Sequence, residues 1–194
     1  MRTKIRLMAA MERLLESNSY EEITISMISK EAGIARQGFY KFYANKEDLI
    51  YQMFVYFADR GAMMDHEFTL REFITHDLSE VSRHTTFFKK MSLDSYDSKF
   101  FLIFYDNIYK IYHKMICYHL GQQMEERLRF ILQAYCMGGS IQVLNLYKKG
   151  EPIDADYYTD VFIDMMPEEV RVILESGTYP PELLRDADSA SYEY

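Results

Sequence analysis

The sequence predicts an all-α protein, a small N-terminal helix-turn-helix unit followed by a larger helical body. Three observations carry this. Apolar residues recur at helical spacing through most of the chain, and no stretch alternates as a strand would. Between Thr24 and Leu49 three helical signals crowd together, separated by Gly33 and by Asn45 at an N-cap position. Hydrophobic residues make up 48% of 194 residues, and only 4 prolines and 8 glycines interrupt them, so long helices can persist and disorder is not expected for most of the chain.

Residues 2–17 read as an amphipathic helix, because Leu7, Ala10, Met11, Leu14 and Leu15 share one face. Asn18 and Ser19 break it. Thr24 caps a short helix with Ile25, Ile28 and Ala32 inward, and Gly33 ends it in the left-handed conformation that lets a second helix leave steeply. That second helix starts near Ala35, turning Phe39 and Tyr43 to the core. Asn45 with Asp48 reads as a variant capping box opening a longer helix, 46–60, whose inner face is Leu49, Ile50, Met53, Phe54 and Phe57; Gly61 marks its end.

The body continues with helices over 70–81, 85–91 and 97–119. The last carries apolar residues around much of its circumference, including Phe100, Phe101, Phe104, Ile108, Tyr112 and Met115, and is therefore buried on more than one side. After Gly121 a helix over 122–149 is closed by Gly150 and Pro152. Asp154 or Asp156 starts a helix through Met166, and Pro167 suits the first position of a last short helix ending near Gly177.

The formal net charge of −8 argues against a protein that coats nucleic acid over its whole surface. Residues 1–50 hold eight basic and seven acidic side chains, a net of +1, which leaves −9 for the other 144. Cys117 and Cys136 lack metal-type spacing, and His113 with Cys117 at i, i+4 nominates no further ligands, so packing explains them and no metal or cofactor is expected. His66, His76, His84, His113 and His119 form no catalytic motif, and no phosphate-binding glycine pattern occurs; an enzyme is not expected. Without a signal peptide or a long apolar run, a cytoplasmic protein without a membrane partner is expected.

Ala9 and Ala10, Tyr20 before two acidic residues, Thr24, Ala32 and Gly33, Phe39 and Tyr40, Tyr43, and Asn45 to Leu49 form an ordered series. With it, residues 4–54 resemble the DNA-binding domain of the TetR family of transcriptional regulators. The resemblance implies a DNA-binding domain over 1–50, an effector-binding and dimerisation domain over 51–177, and a tail over 178–194. It also implies roles that chemistry supports. Arg36 and Gln37, at the start of the recognition helix, would reach base edges, arginine suiting guanine and glutamine adenine. Tyr40, Lys41, Lys46 and Thr24 would hold phosphates, Lys46 by adding a cation to a helix N-terminus. The other reading for each is a solvated or half-buried side chain. Ser19, Gly38 and Phe42 depart from the family pattern: Ser19 replaces a usual glycine, so Asn18 or Ser19 is expected to take a strained turn, and Gly38 removes one hydroxyl donor and loosens a short helix.

The family architecture pairs the last two long helices with their symmetry mates. Here Gly138, Ile141, Leu144, Val161, Phe162 and Met165 would form the dimer contact, unless they pack within one subunit. A small apolar or aromatic effector would sit among Phe101, Tyr105, Tyr112, Met115 and Tyr135, which are otherwise plain core. The function this implies is a repressor that binds palindromic double-stranded DNA as a homodimer and is released by an effector. A helical ligand carrier, or a protein-interaction module without DNA binding, is the competing reading.

Overall fold

A computed structural model describes residues 2–62, 64–91, 99–150 and 153–184. Among them are ten α-helices: α1 Arg2–Ser17, α2 Ile25–Glu31, α3 Arg36–Phe39, α4 Lys46–Ala62, α5 Leu70–Ser82, α6 Thr85–Met91, α7 Lys99–Leu120, α8 Glu126–Lys149, α9 Ala155–Asp164 and α10 Glu168–Glu175. A single 3-10 turn, Pro181–Leu184, follows, and the described residues contain no strand beyond one isolated bridge between Phe68 and Tyr179.

The head is α1 to α3 closed by the start of α4. Leu7, Ala10, Met11, Leu15, Ile28, Phe39 and Leu49 are all fully buried there, the positions that helical periodicity turns inward. The turn after α1 differs from expectation. No described residue other than glycine has positive φ, so neither Asn18 nor Ser19 is strained. Side chains hold the turn instead: Asn18 Nδ2 donates to the Leu14 carbonyl at 2.8 Å, and Ser19 donates through both N–H and hydroxyl to Glu22.

Helix α4 runs without a break from head to body, continuing through Gly61, which does not end it. Isolated glycine weakens a helix without stopping it unless the chain must turn left-handed there. Phe54 and Phe57 of α4 meet Phe87 and Phe88 of α6, with ring centroids 5.0–6.1 Å apart. Helix α6 is thereby wedged between α1 and α8. His84 just before it contacts Glu12 of α1 at 2.6 Å while stacking on Phe57, and Lys90 donates to the Asn18 carbonyl at 3.0 Å.

In the body, α5 packs on α4 and α9, and α7 packs on α8 and α10. The expected start of α7 at Asp97 lies outside the described residues. Helix α8 begins at Glu126, four residues later than expected, because Met124 is buried and Gln122 to Glu125 leave the helical path to put it there. Its end is as read: Gly150 takes φ 69° and its N–H returns to the Tyr147 carbonyl. Of the two aspartates offered, Asp154 caps α9 by accepting from Tyr157 N–H. Helix α9 stops at Asp164 because Pro167 has no N–H to continue the ladder and restricts Met166 before it. Pro167 itself is the N-cap of α10, one position earlier than expected. The segment after α10 is anchored by Tyr179, which is buried and exchanges both backbone hydrogen bonds with Phe68.

Candidate nucleic-acid interface and body cavity

Thr24 caps α2 through its side-chain oxygen, which accepts from Met27 N–H at 3.2 Å. Its hydroxyl hydrogen remains available to a phosphate. Gly33 adopts φ 64°, and Arg6 pins this turn by donating to the Ala32 carbonyl at 2.5 Å. By sequence Arg6 reads as a solvated or phosphate-facing cation, since nothing in a helix's first turns announces a partner 26 residues away. Beyond the turn, α3 buries Phe39 and, just past its end, Tyr43, whose rings lie 5.6 Å apart. With that side fixed, Arg36, Gln37, Tyr40 and Lys41 are all exposed. Arg36 Nη2 lies 3.4 Å from the Tyr40 hydroxyl, so the structure brings a guanidinium and a phenol together on one surface.

Asn45 accepts from Asp48 N–H at 2.7 Å, and Asp48 answers by accepting from Ala44 N–H at 2.8 Å, one residue before the donor a regular capping box would use. Lys46 is more committed than its position in the first turn suggests. Its ammonium donates to the Tyr20 carbonyl at 2.7 Å and the Ile23 carbonyl at 2.9 Å, and lies 4.0 Å from the Tyr20 ring centroid. Two of three N–H donors thus tie α4 to the loop before α2, leaving one for a phosphate. Burial first, then the Glu47 carboxylate, raises the Tyr20 phenol, and burial raises Tyr43 likewise, so both remain neutral.

In the body, one cavity of about 40 Å³ lies between α5, α7, α8 and α9. Of the five residues proposed from sequence, Tyr112 and Tyr135 line it, Tyr135 donating to the Phe162 carbonyl at 2.9 Å. Phe101 and Met115 are instead core residues, 3% and 0% exposed, and Tyr105 stacks on Tyr109 away from the lining. Helical spacing cannot tell a wall from the core behind it. Asp77, which sequence reasoning overlooked, lines the cavity. A signal existed: on the inward face Phe73, Ile74, Leu78 and Val81 of α5, Asp77 is the one carboxylate. Asp77 keeps some accessible surface as part of the cavity wall, yet burial alone pushes its carboxyl up to about 7. Burial likewise pushes the neighbouring Cys136 thiol up to about 12.

Gly138 faces open space, Met165 is 49% exposed, and Ile141 and Val161 are half-buried. Leu144 and Phe162 are buried within the protomer, each 7% exposed; Phe162 lies 3.8 Å from the place a Cβ on Gly139 would occupy. Phe130 and Met137 of α8 and Tyr157 of α9, unremarked in the sequence, are also exposed. His113 and Cys117 approach only to 3.8 Å, and among the described residues no three His, Cys, Asp or Glu side chains gather as a metal site. No helix of the described residues is long and apolar enough to cross a membrane.

A family model described as bacterial regulatory proteins, tetR family, matches residues 7–53, which span α1 to the first half of α4. Among solved structures, the fold is similar to one called dihydroxyacetone kinase operon activator DhaS. The TM-score is 0.71 at 19% identity, with 88% of this chain and 97% of that chain covered. It is also similar to the TetR family repressor AlkX from Dietzia sp. strain DQ12-45-1b, implicated in biodegradation of n-alkanes. There the TM-score is 0.50 at 15% identity, over 87% and 98% of the two chains. No curated protein matches the chain.

Proposed function

We propose that this chain, whose residues 7–53 match the tetR family model and whose fold is similar to that of DhaS, is a TetR-family DNA-binding transcriptional regulator that acts as a homodimeric repressor of a two-fold symmetric operator, released when an effector occupies the body. The observation that carries the reading is the exposed group Arg36, Gln37, Tyr40 and Lys41 on a short helix whose opposite side is fixed by Phe39 and Tyr43. Arg36 and Gln37 read base edges; Tyr40, Lys41, Thr24 and the third N–H of Lys46 hold phosphates. One four-residue helix touches too few bases for specificity, and a second copy doubles the contacts on a palindrome. The exposed and half-buried apolar side chains Phe130, Met137, Ile141, Tyr157 and Met165 support a second copy as what covers them.

Release requires only that the effector favour one head spacing. Helix α4 and the α6 wedge join body to head, so a small pivot there would take one head out of register with its groove. A coupling of about 1–3 kcal/mol suffices for a substantial loss of operator affinity.

Selection of random duplex DNA with purified protein tests this. An enriched palindrome is expected, and Gln37→Ala should relax base preference at one position per half-site while leaving the melting temperature unchanged. Binding without sequence preference, or a non-palindromic site bound by one protomer, overturns the proposal.

A further inference from the structure

We infer that the cavity between α5, α7, α8 and α9 is a binding site for a small aliphatic amine in its ammonium form, with the Asp77 carboxylate as counter-ion. The inference rests on the reading that the body holds an effector.

Among the described residues, Asp77 is the only ionisable carboxyl in the lining. No described residue donates a hydrogen bond to its carboxyl or offers it a positive charge. The groups that approach it from α7 and α8, Tyr112 and Tyr147, are phenols kept neutral by burial. A carboxylate left in such a wall is costly unless something pairs with it. Two further groups on α8 lack partners among the described residues: Ser140 Oγ and the Tyr147 hydroxyl, in residues 3% and 0% exposed. Ser140 lines the same cavity. Buried polar atoms without partners are uncommon, and their coincidence with an unpaired carboxyl marks a place where a ligand completes the hydrogen bonding.

The remaining walls decide the ligand class. Phe73, Ile74, Leu78, Ile108 and Val143 accept an alkyl chain and nothing polar. An ammonium brings donors and no acceptor, which suits a carboxylate and a serine oxygen, and the aromatic lining of Phe104 and Tyr112 is compatible with a cation. An anion would meet Asp77 as a like charge. An uncharged hydrocarbon would leave both Asp77 and Ser140 unpaired, and a metal ion would find a single carboxylate where several oxygens are needed. About 40 Å³ of space restricts the guest to a short chain.

The test uses the full chain with n-propylamine, n-propanol and propionate at neutral pH, followed by calorimetry and by release of the selected operator. Propylammonium is expected to bind at least tenfold more tightly than propanol, and propionate not at all. Asp77→Asn should weaken the amine by about a hundredfold and erase its advantage over the alcohol. Should that variant fold poorly, Ser140→Ala serves: about tenfold weaker amine binding at an unchanged circular dichroism spectrum. Propanol or propionate binding as well as the amine overturns the amine assignment, and so does silence from all three. If the alcohol binds and releases operator, the effector reading survives without the amine. If the amine binds through Asp77 yet leaves operator affinity unchanged, the site stands and the effector reading falls.

Discussion

At Lys46 and Asp77 the charge matters less than what surrounds it. Lys46 spends two donors on the Tyr20 and Ile23 carbonyls, and removing it leaves both oxygens without their charged partner. Lys46→Ala is expected to lower stability by about 1–2 kcal/mol, at the lower end for charge-assisted bonds because the site is partly exposed, and to weaken all DNA sequences alike. Denaturant titration of the variant checks this; an unchanged midpoint would return Lys46 to a purely phosphate-facing role. For Asp77 the sign runs the other way. Its carboxyl titrates near 3.8 when exposed and about 7 in the fold. Between those values the folded state keeps a proton that the unfolded chain has released, so this contribution is complete at low pH and lost as pH rises through 7. The loss is on the order of 2–4 kcal/mol. Asp77→Asn should therefore melt higher than the parent above about pH 7, with the gap closing toward about pH 4. Melts across that range measure it. A gap that widened as pH fell would show that Asp77 has a cationic partner.

Elements were legible in the sequence where a local rule governs them and illegible where a distant residue does. Thr24, Gly33, Asn45, Asp154 and Gly150 announced their helix ends because capping is chemistry within one turn. The start of α8 misled, since the burial of Met124 overrode it, and the turn at Asn18 and Ser19 was relieved by side-chain bonds that spacing does not encode. The exposed set Arg36, Gln37, Tyr40 and Lys41, proposed to face DNA, was visible as a motif, whereas the cavity had to await the fold because its walls come from four helices. Helix α3 carries its own test. Gly38 does not have positive φ, and an added Cβ would meet Ile34 at an ordinary 3.5 Å. Gly38→Ala should stabilise the head by about 0.5–1 kcal/mol through the entropy of the unfolded chain. Gly33→Ala should do the opposite by about 1–2 kcal/mol, because φ 64° disfavours a side chain and its Cβ would lie 3.0 Å from Arg6 Nη2. Chemical denaturation of the pair separates the two glycines by sign.

For the whole molecule the question is how a chain of net charge −8 holds DNA. Attraction must be confined to a nearly neutral head, so tight binding needs two heads held at one spacing, and the second then binds at an effective concentration set by the body. In the proposed homodimer, the exposed apolar side chains of α8 and α9 are the place to break that link. Phe130 is 72% exposed and Met137 36%, so neither is part of the buried core, and a carboxylate at either can reach water in a monomer. In a dimer the same carboxylate is desolvated opposite its symmetry mate. Phe130→Glu with Met137→Glu is expected to leave the helical circular dichroism intact and shift sedimentation from dimer to monomer. Operator affinity should fall by a factor of about 100 or more, because the second head loses its tether. The salt dependence of the residual binding should fall to about half the parent's slope, since one head releases half the counterions. A variant that stays dimeric with unchanged operator affinity would move the interface to another face; one that turns monomeric yet binds as tightly would mean a single head suffices, and the two-fold operator would lose its physical basis.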